Sequence, residues 1–86
     1  MASTQFKPRS IWLSEHYWPG VADEIVLALS QRLATVPGWA ASIVLPAQQT
    51  AFGLYVGQSP DDVRSALARA GVPGGAIDPG WQITKA

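Results

Sequence analysis

The chain has 86 residues, six Lys or Arg against six Asp or Glu, one histidine and no cysteine. It is a single domain, short enough that one core buries only about 60–65% of what the unfolded chain exposes. The absence of cysteine excludes disulfides, zinc–thiolate sites and thiol nucleophiles, and the balanced, unclustered charge excludes the basic footprint that holds a nucleic-acid backbone. Yet 48% of residues are hydrophobic and four are Trp, with mean hydropathy +0.11. That is more apolar surface than so small a core hides, so part of it is expected to face a ligand or a partner subunit.

Residues 1–8 read as a flexible lead to one domain spanning 1–86. The N-terminal stretch "MASTQFKPRS" has no apolar run, so neither a signal peptide nor a membrane span is expected and a cytoplasmic protein is the default. "RSIWLSEHYW", rich in β-branched and aromatic residues and stopped by Pro19-Gly20, predicts a first strand. From Val21 the period changes: Val21, Ile25, Leu29, Leu33 and Val36 recur at helical spacing, Asp23 and Glu24 lie in the first turn, and Pro37-Gly38 ends the run.

"WAASIVLP" and "TAFGLYVGQ", joined by a short polar connection, predict an antiparallel hairpin. Ser59 is placed to cap a second helix with Pro60 at its first position, Asp61 and Asp62 behind it, and Gly71 at its far end. "VPGGAIDPG" reads as a loop and "WQIT" as a short closing strand. The order βαββαβ is the ferredoxin-like α+β pattern, two helices over one face of a four-stranded antiparallel sheet.

Alternation sorts the first strand into Ile11, Leu13, Glu15 and Tyr17 on one side and Trp12, Ser14, His16 and Trp18 on the other. The aliphatic set is expected beneath the helices, together with Phe52, Leu54 and Val56. Trp12, Ser14, His16, Trp18, Ser42, Val44, Gly53 and Tyr55 are then left on the open face. Large aromatics, gaps at glycine and a few polar tips are what a small-molecule site needs. Two such faces stacked would give a homodimeric α+β barrel around a hydrophobic molecule, whereas the plainer reading is interface packing with no ligand.

Within that pocket His16 is the candidate acid or base near neutral pH, and Tyr55 or Ser42 would polarise a carbonyl. Trp12, Ser14, Trp18, Val44 and Gly53 would line the ligand, with no cofactor, as in a cofactor-independent cyclase, isomerase or monooxygenase. Ser14 and His16 stand about 7 Å apart along the strand, too far for a nucleophile–base pair, and no phosphate or dinucleotide motif is present.

The pieces "WLSEHYWPG" and "SIVLPAQQTAFGLYVGQSPDDVRSALARAGVPGGAI" resemble, in pattern and order, a family of small ferredoxin-like proteins described as nickel-binding or of unassigned function. The resemblance covers most of residues 11 to 77 and implies a dimeric α+β barrel. It also implies nickel binding at His16, the one position that matches a family histidine, while Gln48 and Gln49 stand where the family often has acids. On a single chain the composition offers no complete metal site, so His16 would have to be shared across a dimer.

Overall fold

The computed structural model describes residues 6–85, with elements β1 (Phe6–Tyr17), α1 (Asp23–Leu33), β2 (Trp39–Leu45), β3 (Thr50–Tyr55), α2 (Pro60–Arg69) and β4 (Ala76–Lys85). The strands form one antiparallel sheet in the order β2-β3-β1-β4. This is the predicted ferredoxin-like α+β fold. Both helices contribute to one core, where Leu29 and Leu33 of α1 meet Val63, Ala66 and Leu67 of α2, with Tyr55 and Val72 between them.

The helix signals act as read. Ser59 Oγ accepts from the Asp62 N–H at 3.1 Å, satisfying one of the donors that a helix start leaves free. At the far end Gly71 takes φ +79°, its N–H reaches the Ala68 carbonyl, and the Val72 N–H reaches that of Leu67. These two bonds are a Schellman closure, and they set Val72 back into the core beside Leu67. In α1 the regular turns are shorter than the periodic stretch, so Val21 and Val36 flank the helix but are buried with it.

The first and last strands of the chain are longer than predicted. β1 begins at Phe6, so residues 6–8 of the expected lead are strand, and residues 1–5 lie outside the described residues. β4 begins at Ala76, taking in Asp78-Pro79-Gly80, which the turn signals assign to a loop. Proline is tolerated there because β4 is an edge strand, and the missing N–H points away from the ladder. The β1–β4 ladder runs from Phe6–Lys85 to Glu15–Ala76, while β3 pairs with β1 only from Trp12 onward. About six residue pairs therefore extend past the third strand as a two-stranded ribbon roughly 20 Å long, and the molecule measures 50 × 28 × 21 Å.

The faces of the sheet are inverted relative to expectation. The residues sort into the predicted sets, since Ser14 pairs with Gly53, Trp12 with Tyr55, and Ser42 and Val44 with Gly53 and Ala51. The set bearing Trp12, Ser14, His16, Trp18, Ser42, Val44, Gly53 and Tyr55 is the one beneath the helices. Leu13, Glu15, Tyr17, Ile43, Phe52 and Leu54 face outward. The physical reason is area: each aromatic ring buries about 150–250 Å², and the small side chains of Ser14, Ser42, Ala51 and Gly53 leave room for the helical leucines between the rings.

Candidate functional site

Ser14, His16 and Tyr55 are 0%, 4% and 1% exposed, so the candidate catalytic cluster is internal. Ser14 Oγ and the Tyr55 hydroxyl are hydrogen-bonded at 3.1 Å, and Ser42 Oγ accepts from Trp39 Nε1 at 2.8 Å. Gly53 leaves no gap for a ligand. A Cβ there would run into the Tyr55 hydroxyl and come within 2.9 Å of Ser14 Oγ, so the glycine makes room for the tyrosine across it. Burial pushes the Tyr55 hydroxyl pKa up from 10.0, with the Ser14 bond opposing, and the group stays a neutral phenol.

His16 sits opposite Ala51 in the sheet, and its Nδ1 lies 2.7 Å from the carbonyl of Pro73. A carbonyl only accepts, so Nδ1 carries the proton and Nε2 presents a lone pair. Nε2 is buried with no protein partner among the described residues. Burial lowers the pKa of the imidazole from 6.5 against the smaller, raising effect of the Pro73 bond. The ring is thus neutral and braces the loop after α2. Gly75 allows this approach, because a Cβ there would strike the Glu15 carbonyl and lie 2.8 Å from His16 Nδ1.

The space inside the cluster, bounded by His16, Trp18, Leu33, Val44, Tyr55 and Leu67, is about 10 Å³. A second hollow of about 80 Å³ lies on the other side of His16 against Leu67, Val72 and Gly74. The first volume holds one water and no organic substrate. The eight site residues named from the sequence therefore do gather, but the assembly they form is a packed core with satisfied hydroxyls. Their placement on an open face is corrected, and so is the pocket that placement implied.

No group of three His, Cys, Asp or Glu side chains able to hold a metal is present among the described residues. Glu15, the sequence neighbour of His16, points to the opposite face. No helix of the described residues is long and apolar enough to cross a membrane.

The surface left open is the other side of the sheet. Ile43 and Tyr17 are 55% and 66% exposed, Leu13 is exposed, and Phe52 and Leu54 are half-buried among them. Glu15 and Asp78 supply its carboxylates, and Tyr17 donates its hydroxyl to Gln49 Oε1 at 3.2 Å along one border. Sequence reasoning missed this surface. The signal was present in the register of small residues at 14, 42, 51 and 53, which mark where a second layer packs closely.

No protein-family model matches the chain, and no curated protein matches it. Among solved structures, oxidized MerP from Ralstonia metallidurans CH34 is similar, at 19% identity and a TM-score of 0.51, over 83% of this chain and 97% of that one. At that identity the likeness speaks to the shared βαββαβ fold alone.

Proposed function

We propose that the chain is a binding protein whose open sheet face holds a hydrophobic small molecule, closed over by a second copy. The observation that carries this is the composition of that face: Leu13, Ile43, Phe52 and Leu54 form an apolar field, with the Glu15 carboxylate and Tyr17 hydroxyl as isolated polar tips. Such a field binds by area, and the few polar groups orient. Left bare, it is also the kind of patch that drives self-association. A catalytic role for His16 is not part of the proposal, because its imidazole is buried behind the sheet and faces a space the size of one water.

Native mass spectrometry of freshly purified protein tests this. The expected species is a dimer with retained small-molecule mass, and Leu54→Asp, which sets a charge in the middle of the field, abolishes the retained mass. A wild-type chain that stays monomeric and ligand-free at about 100 µM, and that does not bind an apolar fluorescent probe, contradicts the proposal.

A further inference from the structure

The charges within the open apolar field are of one sign. Residues paired across a sheet share a side, so Asp78 of β4, opposite Leu13, projects with Glu15 of β1, and both are exposed. They hold diagonal positions on neighbouring strands, about 7–8 Å apart at the backbone. β2 and β3 contain no Lys or Arg. The basic residues on the same side of β1, Lys7 and Arg9, belong to the ribbon. Arg9 stands four residues before Leu13, about 13 Å along the strand, and its Nε donates to Gln82 Oε1 at 2.7 Å directly across the ladder. Among the described residues the one ion pair is Arg64–Asp61 of α2. The carboxylates of the field are thus left without a counter-charge, on a chain whose formal net charge is zero.

The rings around Glu15 suit the same ligand sign. Phe52 is its direct partner in β3, and Tyr17 is the next residue on that side of β1. A carboxylate beside two aromatic rings is a setting for an ammonium group, which meets the carboxylate as an ion and the ring faces through their negative quadrupole. Leu13, Leu54 and Ile43 continue from there as contact area for an apolar body.

Resting on the reading that this face holds a hydrophobic small molecule under a second copy, we infer that the molecule is a cation. It is an amine or quaternary ammonium on an alkyl or aromatic body, with its head beside Glu15 and Asp78 and its body on Leu13, Ile43 and Leu54. Closure makes the sign matter. A second copy laid over the face adds its own Glu15 and Asp78 to the enclosed space and withdraws water from all of them, so closure over a neutral molecule leaves like charges uncompensated. An anionic ligand adds to the repulsion. A cation offsets it, and ligand uptake is thereby coupled to dimer formation.

Decylammonium, decan-1-ol and decanoate share one tail and differ in charge. Their affinities for the full chain at neutral pH are measured by displacement of an apolar fluorescent probe, and the dimer fraction by sedimentation. Decylammonium is expected to bind about tenfold tighter than decan-1-ol, with decanoate weakest, and to raise the dimer fraction where decanoate does not. Glu15→Gln/Asp78→Asn, a change at two exposed positions, is expected to erase the preference for decylammonium with unchanged far-UV circular dichroism. Equal affinity for decylammonium and decan-1-ol, or a preference that survives the double substitution, overturns the inference and leaves the face standing as a site for an uncharged apolar molecule. Binding of none of the three overturns the reading on which the inference rests, and the inference with it.

Discussion

The imidazole of His16 shows how one residue's surroundings decide its chemistry. Its Nδ1 proton is committed to the Pro73 carbonyl, and its lone pair faces the interior, so protonation would put a charge where nothing receives it. The lowered pKa gives a direction for stability. In the unfolded chain the ring takes up its proton near pH 6.5, while in the fold it does so only at lower pH. Stability is therefore full above that value and declines as the pH falls through the interval below it. Denaturation midpoints measured down this range should drop for the wild type and drop less for His16→Gln, which keeps a donor near Pro73 but does not titrate. Equal pH dependence in the two proteins would contradict the assignment. The sequence marked His16 as the residue to watch. Its side of the sheet was illegible because alternation gives two sets without saying which is covered, and hydropathy ranks Leu13 above Trp12 although the indole buries more area.

At the scale of elements, legibility followed the strength of local signals. α2 was readable almost to the residue because Ser59, Pro60 and Gly71 each fill a backbone requirement. β4 was not, since Pro79 and Gly80 signal a turn wherever the neighbouring strand is unknown, and only pairing with β1 along Phe6–Glu15 draws them into the sheet. The Schellman closure does more than end α2. It delivers Val72 to the core and leads into Pro73, whose carbonyl His16 holds. Gly71→Ala should therefore cost about 1–2 kcal/mol, the penalty of a left-handed residue with a Cβ, read as a lower urea midpoint with unchanged slope. No change in midpoint would mean that the αL residue is not needed at this corner.

For the whole molecule, the distribution of apolar surface matters more than its total. The excess legible in the composition is divided between a dense core of aromatic rings and helical leucines, an open sheet face, and a ribbon that leaves the sheet. The inversion moves the proposed functional surface from residues that carry recognisable chemistry to residues that carry mostly area, which is why the proposal is binding and not proton transfer. That inversion is tested by comparing two neighbouring thiols, Leu13→Cys and Ser14→Cys, in dilute protein with a water-soluble alkylating reagent. The account predicts prompt labelling at position 13 and labelling at position 14 only as fast as the protein unfolds. Rapid reaction at 14 with protection at 13 would place the helices on the other side of the sheet and contradict it.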